Sequence, residues 1–93
     1  MTTMDTTTIE REIRAFLGET FPLAGDPGSV PSGGSLIDLG VIDSTGVLEI
    51  VGFIESRFGF EIPIEEIAPE YLDTIDNITT YVGARLREHD GDG

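Results

Sequence analysis

Apolar side chains return every third or fourth residue in three separate stretches of this chain, and that spacing is the strongest limit on what it can fold into. Ile9, Ile13, Phe16 and Leu17 share one helical face; Val47, Ile50, Val51, Ile54 and Phe58 share a second; Ile75, Ile78, Val82 and Leu86 share a third. A period of 3.6 lays such residues along one side of an α-helix, whereas a half-buried strand alternates them with polar ones. No stretch reads as a strand. The expected fold is all-α: a small antiparallel four-helix bundle of three main helices and one short one.

The helix ends follow from caps and breakers. The first helix is expected to start at a Thr7-x-x-Glu10 capping-box pattern and to end between Gly18 and Pro22. Pro22, Pro27 and Pro31, with Gly25, Gly28, Gly33 and Gly34, exclude helix and strand and predict a long loop between helices 1 and 2. Leu36, Ile37, Leu39, Val41 and Ile42 then pin the end of that loop onto the core. The second helix is expected over Ser44 to Phe58, with Arg57 in its last turn and Gly59 just beyond. Gly46 and Gly52 inside it each cost about 1 kcal/mol relative to alanine, which implies bare surface or a close approach. Ile64 to Leu72 reads as one short helix or irregular turn interrupted by Pro69. Thr74 is the expected cap of a last helix finishing near Arg87. Residues 1–7 are read as a flexible N-terminus, 8–87 as the bundle and 88–93 as a disordered acidic tail.

Ninety-three residues suffice for one domain and leave little room for a deep catalytic cleft. Eighteen acids against five arginines, with no lysine, give a net charge of −13, which repels polyanions and argues against nucleic-acid and anionic-membrane partners. Most of the excess lies around the second helix: from Asp38 to Asp76 there are ten acids and only Arg57 in opposition. No cysteine is present, so any thiol the protein uses must be imported. No run approaches a membrane span, and self-repulsion disfavours association, so a soluble, cytoplasmic monomer is expected.

Candidates for chemistry are few. His89, the only histidine, lies in the expected tail, without packed neighbours to orient it, so no catalytic triad is expected. The carboxylates read as a solvated face, and Asp90-Gly91-Asp92-Gly93 lacks the spacing of a calcium loop. There is neither a phosphate-cradling glycine loop nor a zinc pattern, and no metal is expected. What remains is Ser44, at the start of the second helix behind Asp43. As structure, either residue is an ordinary N-cap. As chemistry, a phosphate ester on Ser44 would meet unpaired backbone N–H groups and the positive end of the helix dipole.

The run Leu39-Gly40-Val41-Ile42-Asp43-Ser44, a helix carrying Glu49, Glu55 and Phe58, and Glu61-Ile62-Pro63 resembles the acyl carrier protein family, whose signature is Asp-Ser-Leu or Asp-Ser-Met at the head of the second helix. The match covers about Leu36 to Val82. The resemblance implies that Ser44 bears 4′-phosphopantetheine, taken from coenzyme A by a phosphopantetheinyl transferase, and that Asp43 helps to position that reaction. The protein would carry acyl or aminoacyl groups as thioesters and be no enzyme itself. Its partners would be an acyltransferase, adenylating ligase or ketosynthase presenting basic surfaces to the second helix. If Val47, Ile50, Val51, Ile54 and Phe58 face inward, then Thr45, Leu48, Glu49, Gly52, Glu55 and Ser56 face outward beside Ser44, with Leu48 the expected apolar anchor and Glu49 and Glu55 the charged contacts.

Departures from the pattern refine the expectation. Thr45 stands where the family has Leu or Met, and Gly46 and Gly52 replace larger residues, giving a smaller and more polar partner face than in housekeeping fatty-acid synthesis. Val41-Ile42 before Asp43-Ser44 differs from the Gly-Gly of peptide-synthetase carriers. A stand-alone carrier of polyketide or other natural-product biosynthesis is the preferred expectation, which an arginine-only, GC-rich type of composition suits. The alternative of a different class is an acidic helical interaction module, a charge mimic in which Ser44 is only a helix cap.

Overall fold

The computed structural model describes residues 5–21 and 27–92. The periodic segments fold as helices: α1 (Thr6–Thr20), α2 (Ser44–Phe58), the short α3 (Pro69–Leu72) and α4 (Ile75–Asp92), with single 3₁₀ turns at Pro27–Ser29 and Ile64–Glu66. No strand occurs among the described residues. Together these make a small helical bundle. The expected loop between the first two helices falls partly outside the described residues; from Pro27 onward it contains the 3₁₀ turn and a series of turns before α2.

Helix α1 begins earlier than the capping-box reading placed it. Asp5 is its N-cap, its carboxylate accepting the Thr8 N–H at 2.8 Å, and Thr6 and Thr7 are already helical. An aspartate outranks a threonine as a cap, and the bond holds the Asp5 carboxyl below its ordinary pKa. Ile9, Ile13 and Leu17 are buried, while Phe16 lies half-buried with its ring stacked on Phe53 of α2 at 4.3 Å between centroids. Arg57 at the end of α2 reaches Glu12 of α1 through two bonds of 3.0 Å. Arg14 holds Glu10 at 2.8 Å and also donates to the Val30 carbonyl, tying the connecting segment to α1.

Helix α2 has the expected bounds. Its buried side is Val47, Ile50, Val51 and Ile54, and Phe58 is half-buried. It stops at Gly59, whose φ of +83° is the left-handed geometry that glycine adopts most readily, and whose N–H returns to the Glu55 carbonyl. Pro69 opens α3 instead of interrupting a helix, because proline at the first helical position sacrifices no bond. The hydroxyl of Thr74 caps α4 through the Asn77 N–H at 2.9 Å.

Helix α4 runs to Asp92, five residues beyond the expected stop at Arg87. Once a helix exists each added residue gains a hydrogen bond without a new nucleation cost, and none of residues 88–92 is a proline. α4 packs along α1 and closes over α2 and α3, so Leu72, Ile75, Ile78 and Val82 are fully buried. The radius of gyration, 12.7 Å, is close to the roughly 12 Å of a compact chain of this length. Among the described residues no helix is long and apolar enough to cross a membrane.

Candidate functional site

The approach to Ser44 is a turn organised around one buried residue. Leu36 is fully buried, and its carbonyl accepts the N–H groups of both Val41 (3.0 Å) and Ile42 (3.3 Å). Gly40 allows the reversal with φ +78°, a value that strains a side chain bearing Cβ. Val41 and Ile42 then turn inward to 6% and 5% exposure. Two consecutive apolar plugs explain why this stretch shows no period of two.

The chain emerges at Asp43. Its carboxylate accepts the Gly46 N–H at 2.8 Å, so Asp43, not Ser44, is the N-cap of α2. Ser44 is the first residue of the helix and is exposed. Helix geometry leaves the N–H groups of Ser44 and Thr45 without intrahelical acceptors, so the dipole's positive end opens beside the hydroxyl. Gly46 is buried because a Cβ there would lie 2.8 Å from the Ile42 Cβ and 3.2 Å from the Phe21 ring: this glycine lets the loop close onto the helix. Beside the serine an open groove of about 490 Å³ runs over Phe21, Val41, Ile42 and Gly46, with Thr45 and Glu49 at its edge.

Along α2, Thr45, Leu48, Glu49, Gly52 and Ser56 are all exposed, Leu48 to 60%. A Cβ on Gly52 would meet nothing within 4 Å, so this glycine marks bare surface where Gly46 marks a close approach. Glu55 is different: it is half-buried and its carboxylate accepts the Ile62 N–H at 2.9 Å, holding the segment that follows α2. Sequence reasoning missed that bond, since the partner lies across a turn. It also missed Ile64, exposed to 84% and part of no helical period. Leu39, expected to help pin the loop's end onto the core, is instead 50% exposed, because the turn at Gly40 sends Leu36, Val41 and Ile42 inward and leaves it outside.

The adjoining Asp43 carboxylate accepts the Gly46 N–H, so it serves the cap of α2. Among the described residues no group of three or more His, Cys, Asp or Glu side chains could hold a metal ion. The geometry offers an exposed primary hydroxyl at the head of a helix.

No family model matches the chain. It is 38% identical over 47 residues to the D-alanyl carrier protein of Streptococcus suis, an alignment that takes in 50% of this chain and 60% of that protein. The chain thus spans less than two thirds of that relative's length. The likeness is to a discrete carrier protein and extends over half of this chain.

Proposed function

We propose that the protein carries acyl or aminoacyl groups as thioesters on a 4′-phosphopantetheine arm attached to Ser44. The observation that carries this reading is the exposed hydroxyl of Ser44 at the head of α2, with Asp43 rather than the serine serving as cap. A covalently held group needs no enclosing pocket, and the residues present fit one: the oxygen is accessible, and the dipole beside it favours an anion. In the attachment step the Ser44 oxygen displaces the nucleotide portion of coenzyme A at phosphorus, and a transferase takes up the hydroxyl proton. When bound, the arm supplies the thiol that this cysteine-free chain lacks.

The chain's own residues present the hydroxyl and attract the partners. Asp43 fixes the first turn of α2. Leu48 offers an apolar anchor, and Glu49 adds negative charge beside the serine, so transferase, acyltransferase, adenylating ligase or ketosynthase would dock through basic surfaces. Thr45, Gly52 and Ser56 keep that face small, and Glu55 contributes charge while holding Ile62. The name of the Streptococcus suis relative supports aminoacyl cargo as one form of the function, and the small, polar face supports natural-product assembly as its setting.

Incubation with coenzyme A and a promiscuous phosphopantetheinyl transferase, followed by intact-mass measurement, is the test. Wild type is expected to gain one arm and Ser44→Ala none; a folded wild type that stays unmodified overturns the proposal.

A further inference from the structure

We infer that Asp73, between α3 and α4, is a positioning residue for Ser44. This rests on Ser44 being the attachment point, and it adds a residue at the junction of α3 and α4 that holds the segment leading to that hydroxyl. The segment before α2 has no regular structure to fix it, yet three hydrogen bonds bind it to this one residue. The Ser35 hydroxyl donates to Asp73 Oδ2, the Ile37 N–H donates to Oδ1 at 3.0 Å, and the Leu36 N–H donates to the Asp73 carbonyl at 2.7 Å. One turn on, the Asp76 N–H donates to the Ser32 carbonyl at 2.9 Å. Asp73 itself is firmly seated, because Leu72 and Ile75 on either side are fully buried.

From there the connection to the serine is short. Leu36, held by Asp73, accepts the N–H groups of Val41 and Ile42 on its own carbonyl. Ile42 lies against Gly46 of the first turn of α2, the turn that Asp43 caps and Ser44 opens. Each link is a hydrogen bond or a close packing contact, so a shift of Leu36 is passed to the head of α2. Asp73 touches neither the hydroxyl nor any reacting atom; it acts through Leu36 and Ile42.

The experiment compares wild type, Asp73→Ala, Asp73→Asn and Ser35→Ala by arm transfer from coenzyme A, below the melting temperature of each, and by amide hydrogen exchange. Misplacement by an ångström costs roughly a hundredfold, so a smaller shift in Asp73→Ala is expected to lower kcat for transfer by about tenfold with little change in KM. Exchange at Val41 and Ile42 should quicken while the amides of α1 keep their protection. Asp73→Asn keeps an oxygen for the Ile37 N–H and should recover most of the rate. Wild-type kcat in Asp73→Ala, or faster exchange spread evenly over the whole bundle, overturns the inference. If Asp73→Ala does not fold, Ser35→Ala, which removes the bond to Asp73 and the one from the Asp38 N–H, decides by the same two measurements. Should wild type accept no arm, the reading of Ser44 fails, and the exchange pattern still judges the link from Asp73 to the head of α2.

Discussion

Two glycines on one helix separate the effects of space and propensity. Alanine is favoured over glycine by about 1 kcal/mol in a helix, yet at Gly46 its methyl would enter within 2.8 Å of the Ile42 Cβ, a contact that cannot relax by rotating a side chain. Overpacking of this kind costs about 1–3 kcal/mol, so Gly46→Ala is expected to lower the melting temperature despite the better propensity. Gly52→Ala adds its methyl to open space and is expected to raise stability by up to about 1 kcal/mol. Thermal melts of the two variants check both signs. The sequence announced that these glycines were costly but not which one was packed, because the neighbours of Gly46 come from the preceding loop and from Phe21. Ser44 was legible for a local reason: an Asp-Ser pair directly ahead of a long apolar period marks a helix head. Asp73 was not, since its partners lie 36 and 38 residues away.

At the level of elements, the three long helices could be read from spacing alone, with Ile9, Val47 and Ile75 each opening a face that the fold buries. Their ends were harder. The Thr7-x-x-Glu10 pattern pointed two residues too far along, because Asp5 is the stronger cap; α4 passes Arg87 because nothing in residues 88–92 forbids one more turn. The junction after α2 is held to α4 by side chains that no periodicity reveals. Arg85 donates to the Tyr81 oxygen and to the Glu61 carbonyl and lies 5.0 Å from the centre of the Phe60 ring, while the Tyr81 hydroxyl donates to Glu66 at 2.6 Å. Burial, then the Glu66 bond and charge, push the Tyr81 phenol from its ordinary 10.0 up to about 12, against the opposing pull of Arg85. A pKa raised by folding means the folded chain holds that proton more tightly than the unfolded one. The contribution is therefore complete below pH 10.0 and is lost as pH rises through about 12. Urea midpoints followed by far-ultraviolet circular dichroism should fall over this window in wild type and fall less in Tyr81→Phe.

For the whole molecule, a charge of −13 on 93 residues makes salt act in two directions. Screening relieves repulsion between carboxylates inside the folded chain, so added sodium chloride is expected to raise the melting temperature. The same screening weakens attraction to a basic partner, so the rate of association with the transferase should fall over the same range, chiefly in its on-rate. Melting curves and stopped-flow binding at matched ionic strengths check the pair; a melting temperature that fell with salt would mean that contacts such as Arg57–Glu12 outweigh the general repulsion. The helical class and the acidic face could be read from composition and spacing. The joining of the loop to the junction between α3 and α4 could not, since it depends on residues brought together only when α4 closes the bundle.

Both tyrosines, Tyr71 and Tyr81, sit at the same place, their rings 6.2 Å apart on α3 and α4, and the chain has no tryptophan. Intrinsic fluorescence therefore reports on the contact between α3 and α4, and neither ring lines the groove beside Ser44. A spectroscopist wishing to watch the serine itself would place a label near Thr45 or weigh the protein instead.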